Sequence, residues 1–217
     1  MSDTKRKVVT VLLGGPSSER EVSLASGAAV AGALETAGYR VHRSDPREGA
    51  LDLPPGTEAV FIALHGRFGE DGTVQSLLND RGIPYTGPGA EASRVCFDKA
   101  LCKERLQAAG LPTAPYEVLA PGERTGLPLP VVVKPLREGS SIGVHRVFDP
   151  EDWRSVEDDP ACRGRPCLVE QFLPGAEWTV GLLDGEPLPL IEIRAPDGKY
   201  DYQAKYSKGL TRYLVPA

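Results

Sequence analysis

The feature that most constrains the fold is an alternation of short apolar runs and helical segments through residues 1–87. Val8–Leu13 is a β-branched run that ends at two glycines, and the alanine-rich residues 19–37 follow it with helical spacing. The other predicted elements are, in chain order, strands at 40–45 and 59–64, a helix at 71–80 and a strand at 83–86. Strands that alternate with helices predict a parallel, doubly wound α/β sheet of the Rossmann-like kind. In such sheets ligands bind beyond the carboxyl ends of the strands, so the chemistry is expected there.

The pattern changes after a long helix predicted at 92–109, which Gly110 and Pro112 close. Short apolar runs then favour antiparallel strands, at 116–119, 131–134, 142–147 and 168–172, and a hairpin signal stands at Asp184-Gly185. The chain is therefore predicted to be α/β in three parts: an N-terminal parallel-sheet domain at 1–87, an α+β unit at 88–183, and the start of a further subdomain at 184–217. That last part ends at Ala217 without the helix or strand that usually closes a domain.

Charge and cysteine usage exclude several classes of protein. Net charge is −5 and no basic run appears, which argues against nucleic acid as a partner. The apolar run Val8–Leu13 is too short for a signal peptide or for a membrane span of ~20 residues. The four cysteines (Cys96, Cys102, Cys162 and Cys167) match no zinc or redox spacing, so reduced thiols in cytoplasm are predicted.

The first motif is the loop from Gly14 to Ser23, directly after the first predicted strand. Its small residues permit close backbone approach, and the helix that follows offers N–H groups to an anion. The alternative is a tight turn with Ser17 or Ser18 as the N-cap of that helix. The loop lacks the GxGxxG pattern, so NAD binding is not predicted.

The second motif is Lys134 at the end of a predicted strand, followed by the small-residue loop Gly139–Gly143. A lysine beside such a loop suits phosphate, since loop amides bond the oxygens and the ammonium neutralises charge. The Gly-Lys-Ser/Thr order of a Walker A loop is absent. The alternative is a hairpin with an exposed lysine.

The third motif is the apolar strand at 168–173, followed by Glu177. The backbone N–H and C=O groups of this strand could pair with the edge of an adenine, and the Glu177 carboxylate could accept hydrogen bonds from ribose hydroxyls. The alternative is a buried strand with a solvated turn. His65 and the Lys205-Tyr206 pair carry little information in isolation.

In this order and spacing, the motifs resemble the D-alanine–D-alanine ligases, a family of the ATP-grasp superfamily. The resemblance covers essentially the whole chain and rests on Leu12–Leu24, Ala63–Gly72, Pro84–Gly87, Asp98–Lys99, Val133–Gly143, Glu170–Glu177 and Tyr202–Tyr206. It implies a Rossmann-like domain followed by an ATP-grasp domain, and ATP-dependent ligation of two D-alanine molecules through an acyl phosphate. A cytoplasmic homodimer with no membrane partner is also implied.

The resemblance assigns roles to individual residues. Lys99, Lys134 and Lys205 are expected at the ATP phosphates. A mobile loop of Gly139, Ser140 and Ser141 is expected to cover the phosphates, while the adenosine is expected against Glu170, Gln171, Phe172, Leu173 and Glu177.

The substrate side is implied in the same way. Glu19 is expected to bind the ammonium of the first D-alanine, His65 and Gly66 to lie near its carboxylate, and Ser23 to help place the second substrate. Glu19, Ser140 and Tyr206 are expected to form a hydrogen-bonded catalytic set. Tyrosine at 206 favours a dipeptide product. The alternatives are a D-alanine–D-lactate or D-alanine–D-serine ligase, and a non-catalytic nucleotide-binding remnant.

Family members continue for about another 90 residues, which supply most ligands for Mg²⁺ (or Mn²⁺). The metal ligands are therefore expected to lie beyond Ala217, with none within residues 1–217. Since Mg²⁺ needs oxygen ligands in an octahedral site, this chain alone is expected to be weakly active or inactive.

Overall fold

A computed structural model describes residues 7–47, 50–183 and 185–217, so Asp184 of the predicted hairpin lies outside the described residues. The chain divides between Leu111 and Pro112 into two compact units. The division at 87 and 183 stays a prediction. Among the described residues, none of the helices combines the length and the apolar character needed to cross a membrane.

The first unit is built on a parallel sheet, as predicted. Its strand order is β2-β1-β3, with β1 at Val8–Leu12, β2 at Arg40–Ser44 and β3 at Thr57–Ile62. All five residues of β1 are buried, which is what a central parallel strand covered on both faces requires. Residues 83–86, predicted as a fourth strand, contribute only a single parallel bridge between Val60 and Tyr85.

The described residues of this unit form four helices: α1 (Arg20–Thr36), α2 (Thr73–Asn79), α3 (Ala90–Phe97) and α4 (Lys99–Ala108). The prediction of a single helix at 92–109 was wrong, because the backbone at Asp98 is extended (φ −90°, ψ 110°). Asp98 caps α4 instead, since its side chain accepts hydrogen bonds from the N–H groups of Ala100 and Leu101.

Side chains on the two faces of the first sheet alternate between two apolar clusters. Val11 packs with Ala31 of α1 and with Ala63, whereas its neighbour Leu12 packs with Leu78 of α2 on the other face. The carboxyl ends of β1 and β3 are thereby held between two packed layers.

The second unit begins with a four-stranded antiparallel sheet of order β4-β7-β5-β6. Its elements are β4 (Tyr116–Leu119), β5 (Val131–Pro135), β6 (His145–Val147), a 3₁₀ turn (Pro150–Asp152), α5 (Trp153–Asp158) and β7 (Cys167–Gln171). Trp153 and Val156 of α5 pack on the buried valines of β5 and β7. The strand predicted at 142–147 starts only at His145, because residues 140–143 form a turn.

A second antiparallel sheet, of order β12-β11-β8, follows in the same unit together with a short β9-β10 hairpin. The elements are β8 (Glu177–Thr179), β9 (Leu182–Leu183), β10 (Glu186–Pro187), β11 (Ile191–Arg194), a 3₁₀ turn (Pro196–Gly198), α6 (Tyr202–Tyr206) and β12 (Arg212–Leu214). The chain is thus α/β, with one parallel sheet followed by antiparallel ones, as the sequence predicts.

Candidate functional site

The loop after β1 is a tight turn whose backbone groups are bound by side chains. Gly14 and Gly15 have φ angles of +77° and +74°, a conformation that glycine adopts without strain. The Gly14 N–H donates to Ser23 Oγ at 2.9 Å, and the Gly15 N–H donates to Asp45 Oδ1 at 3.0 Å. The turn is therefore held from α1 and from the end of β2 at once.

Ser23 connects two loops of the first unit. The side chain is fully buried, and its hydroxyl donates to the carbonyl of Ala63 at 2.7 Å while accepting from Gly14. The carboxyl ends of β1 and β3 are thus joined through one oxygen. Contact between Ser23 and a second substrate stays a prediction.

Arg20 and Asp45 form an ion pair that the sequence did not reveal. Two guanidinium nitrogens of Arg20 donate to the two oxygens of Asp45 at 2.8 and 2.6 Å. Arg20 also donates to the carbonyl of Gly15 at 3.1 Å. The hydrogen bond from Arg20 holds the pKa of Asp45 well below its ordinary value, and the Gly15 N–H acts in the same direction.

Glu19, His65 and Gly66, all predicted at the first D-alanine, lie together. Glu19 is 5% exposed, and a Cβ added to Gly66 would lie 2.8 Å from Glu19 Oε2. Glu70, which was not predicted as a site residue, accepts a hydrogen bond from the Gly66 N–H at 2.9 Å, and its other oxygen lies 3.6 Å from His65 Nδ1. The carboxylate of Glu70 raises the pKa of His65 above its ordinary value; burial opposes this, and Glu19 adds a smaller increase.

A cavity of about 380 Å³ adjoins this cluster within the first unit. His65, Glu70, Thr86 and Gln75 are among its lining residues. Gln75 is buried and its Nε2 donates to the Gly69 carbonyl at 2.8 Å, whereas its Oε1 has no hydrogen-bond partner among the described residues. A buried acceptor beside a cavity suits a polar ligand, and no periodic signal marked Gln75 in the sequence.

Lys134 and Glu170, both predicted at ATP, are ion-paired in the second unit. Lys134 lies on β5 and Glu170 on the adjacent strand β7. Their side chains are 24% and 15% exposed, so the pair is sheltered but reachable from solvent. The glutamate thereby holds the ammonium group near the end of β5, the strand that leads into the glycine loop.

The loop Gly139–Gly143 carries two residues in the left-handed region, Ser140 at φ +48° and Ser141 at φ +60°. This conformation is unfavourable for residues other than glycine, and it is maintained by contacts with a distant segment. Ser140 Oγ lies 2.7 Å from the hydroxyl of Tyr206, and Ser141 Oγ donates to the carbonyl of Tyr200 at 2.9 Å. The predicted pair Ser140 and Tyr206 is therefore in direct contact.

The residues predicted around the adenosine differ in exposure. Gln171 donates to the carbonyl of Pro130 at 2.9 Å, and the ring of Phe172 lies 5.4 Å from that of Phe148. Leu173 is 66% exposed. Glu177 and Phe172 share Arg146, whose guanidinium lies 3.9 Å from Glu177 Oε1 and 5.6 Å from the Phe172 ring.

The predicted lysines fall in different units. Lys205 lies on α6 with its ammonium 5.1 Å from the ring centre of Tyr200. Lys99 is the first residue of α4 in the first unit, together with Glu19, Ser23, His65 and Gly66. Every other predicted site residue belongs to the second unit.

The expectation that the metal ligands lie beyond Ala217 concerns the Mg²⁺ (or Mn²⁺) site and stays a prediction. The N–H of Ala217 donates to the carbonyl of Leu190 at 3.1 Å, next to β11. Within the described residues, however, the fold brings together three candidate metal ligands, His145, Asp159 and Cys162. The sequence does not reveal this cluster, because His145 and the other two residues belong to separate elements.

Comparison with known proteins finds a matching family model in each of the two units. Residues 43–88 match the family model described as "D-ala D-ala ligase N-terminus", and residues 106–217 match "D-ala D-ala ligase C-terminus". The D-alanine–D-alanine ligase of Syntrophotalea carbinolica is 47% identical over 220 residues, which cover 99% of this chain and 72% of that protein.

Two solved structures are similar as well. The D-alanine–D-alanine ligase of Bacillus anthracis superposes with a TM-score of 0.78 at 32% identity, covering 96% of this chain and 71% of that one. The same enzyme complexed with ATP superposes with a TM-score of 0.79 at 29% identity, over 96% of this chain and 70% of that one. With both halves matched in order, this chain belongs to the D-alanine–D-alanine ligase family.

Proposed function

We propose that this chain belongs to an enzyme that joins two D-alanine molecules into D-alanyl-D-alanine for peptidoglycan precursor synthesis, with ATP converted to ADP and phosphate. Weak activity of residues 1–217 alone stays a prediction. The observation that carries the assignment of substrate residues is the grouping of Glu19, His65 and Gly66 beyond the carboxyl end of β3. An amino acid carries one ammonium and one carboxylate group. The Glu19 carboxylate suits the ammonium, and His65, whose pKa is raised, suits the carboxylate.

The reaction has two steps. The carboxylate of the first D-alanine attacks the terminal phosphorus of ATP, which forms an acyl phosphate and releases ADP. The amine of the second D-alanine then attacks the acyl carbon, phosphate leaves and the amine loses a proton. Both steps require several anions to be held together, so positioning and charge stabilisation are the main tasks of the protein.

Lys134 supplies one such positive charge. In ATP-bound protein we expect its ammonium to contact phosphate oxygens while Glu170 stays beside it. Ser140 and Ser141 lie in the loop that would close over the phosphates, and Tyr206 holds that loop through Ser140. A closed loop excludes water, which protects the acyl phosphate from hydrolysis.

Mg²⁺ does not fit the ligands that the described residues bring together. Their one cluster of three candidate metal ligands consists of His145, Asp159 and Cys162. Mg²⁺ takes oxygen ligands in octahedral geometry, so a set with one nitrogen and one sulfur is unsuitable. No step above is therefore assigned to a metal ion.

We further propose a cytoplasmic homodimer that uses no nucleic acid or membrane partner. The four free cysteines support a reducing compartment, where thiols stay unpaired.

The test is ATP binding and D-alanine-dependent phosphate release by the chain and by Lys134→Ala. We expect ATP affinity to fall by about 10- to 100-fold in the variant, because a hydrogen bond to a charged group contributes roughly 1.5–3 kcal/mol. Lys7→Ala is the control, since Lys7 is exposed and lies in the other unit. Equal ATP affinity in both variants would contradict the assignment of Lys134.

Substrate choice is tested by replacing the second D-alanine with D-lactate or D-serine. With Tyr206 present we expect the dipeptide to dominate. A product with D-lactate formed as readily as the dipeptide would show the depsipeptide activity instead.

A further inference from the structure

The cluster of His145, Asp159 and Cys162 carries chemistry that the ligase reaction does not use. His145 lies at the start of β6, Asp159 directly after α5, and Cys162 three residues further on. One ligand atom from each residue lies within 4.8 Å of the other two. We propose that these three side chains form a binding site for a zinc-like divalent cation.

The geometry is close to what such an ion needs. Zinc bonds to sulfur and nitrogen are about 2.0–2.3 Å long, so neighbouring ligand atoms in a tetrahedral site are roughly 3.3–3.8 Å apart. His145 Nε2 and Asp159 Oδ2 are 2.8 Å apart, hydrogen-bonded as expected without an ion. Insertion of a cation would replace the proton between them and widen this gap, while drawing Cys162 Sγ inwards. All these movements are small and involve side chains.

Cys167 lies beside Cys162 but outside the group of three ligand atoms. It is the first residue of β7 and is buried, and its thiol donates to the carbonyls of Arg165 at 3.7 Å and Cys162 at 4.0 Å. The spacing of Cys162 and Cys167 matches no zinc motif, and the other two candidate ligands come from a separate strand and a helix end. Folding brings together one sulfur, one imidazole and one carboxylate, a set that suits zinc better than magnesium or calcium.

The surroundings favour a fixed site. The Asp159 turn is ordered by its own backbone, since the Ala161 N–H donates to Asp159 Oδ1 at 2.8 Å and the Cys162 N–H donates to the Asp159 carbonyl at 3.0 Å. Side-chain exposure is 18% for His145 and 25% for Asp159, whereas Cys162 is buried. Cys162 and Cys167 also line a cavity of about 340 Å³, which gives an ion a route to the sulfurs.

A cation here would stabilise the end of the loop Gly139–Gly143, which packs against the turn that carries Asp159 and Cys162. The Cys162 thiol donates to the carbonyl of Gly143 at 3.3 Å, and a Cβ added to Gly143 would lie 2.7 Å from Pro135 and 2.9 Å from Ala161. The end of the loop is thus packed tightly against the turn that carries the ligands. The role inferred is structural, and it does not depend on the ligase activity.

The test is titration of the chelator-treated chain with Co²⁺, whose spectrum reports its ligands, followed by displacement with Zn²⁺. We expect one ion per chain, a thiolate-to-cobalt charge-transfer band and the strong visible bands of a tetrahedral site. Cys162→Ser should weaken binding by about 100-fold or more, since loss of even an outer partner costs on the order of 10- to 100-fold. Zn²⁺ should raise the unfolding temperature of the wild-type chain by several degrees and leave that of the variant unchanged.

The matched control is Cys96→Ser with Cys102→Ser, because these two thiols are also neighbours but lie in the first unit. This double variant should retain the charge-transfer band. Absence of the band in the wild-type chain would overturn the proposal, and this result does not depend on whether any variant folds. So would a band that survives Cys162→Ser and disappears in the double variant.

Discussion

Ser140 Oγ lies 2.7 Å from the hydroxyl of Tyr206, although 66 residues separate them in the chain. Tyr206→Phe removes this hydrogen bond and leaves the ring, which packs on Tyr202 with centroids 4.8 Å apart. Since one such bond contributes roughly 0.5–1.5 kcal/mol, we expect the ordered loop to be destabilised about three- to tenfold. Proteolysis within residues 139–143, measured with and without ATP, reports this directly.

The control for that change is Tyr213→Phe, which removes a comparable bond of 2.9 Å between the hydroxyls of Tyr200 and Tyr213. It should leave cleavage of the loop unchanged. Equal cleavage rates in Tyr206→Phe and wild-type protein would show that the loop is held by other contacts.

Gly66→Ala is expected to impair D-alanine binding through Glu19. The added methyl would lie 2.8 Å from Glu19 Oε2, so the carboxylate must move. Gly82→Ala is the matched control, because its φ of +64° is close to the +66° of Gly66 but nothing lies within 4 Å of the added atom. Both variants should lose about 1–2 kcal/mol of stability from the left-handed backbone.

The difference between the two glycine variants should appear in substrate binding. We expect a rise of about tenfold in the Kd (or, where turnover is measurable, the KM) for the first D-alanine in Gly66→Ala alone, equivalent to ~1.4 kcal/mol. If Gly82→Ala raises this constant as much, the effect comes from backbone strain and not from Glu19.

The pKa of His65 is expected to depend on Glu70. In Glu70→Gln it should fall towards the ordinary value near 6.5, because the carboxylate that stabilises the imidazolium is lost. The stability contributed by this pair is complete below the unfolded pKa and is lost as pH rises through the raised folded pKa. An NMR titration of the His65 ring measures the shift. Glu35→Gln, which removes a partner of Arg43 instead, should not alter it.

The ion pair of Asp45 is expected to make the stability of the fold decrease as pH falls. Because Arg20 lowers the folded pKa of Asp45, its contribution is complete above the unfolded value of about 3.9 and disappears as pH falls through the folded value. Asp45→Asn should therefore be less stable than wild type at neutral pH, with the gap narrowing below about pH 4. Acid unfolding followed by circular dichroism tests this, with the 87%-exposed Asp52 as the site of a control variant.

The sequence was sufficient for the three strands of the parallel sheet and for the positions of the motifs, because periodicity and glycine placement are local. The break at Asp98 was missed since residues on both sides have helical spacing, and only a cap at the junction reveals two helices. Asp45 escaped notice because its partner Arg20 is 25 residues away and no period connects them. The same holds for His145 and Asp159, which only the fold brings together.

Ser23 sets a limit on redesign of the second-substrate preference. Because one hydroxyl bonds the backbone of both loops, its replacement would misplace Gly14 and the segment after Ala63 together. A library that varies Ser23 to reach new substrates would mainly return poorly folded proteins. If this serine is invariant among homologues, the invariance would reflect its role in holding the two loops more than a role in substrate choice. Mutagenesis aimed at selectivity is better directed at side chains that the loops carry than at the oxygen that joins them.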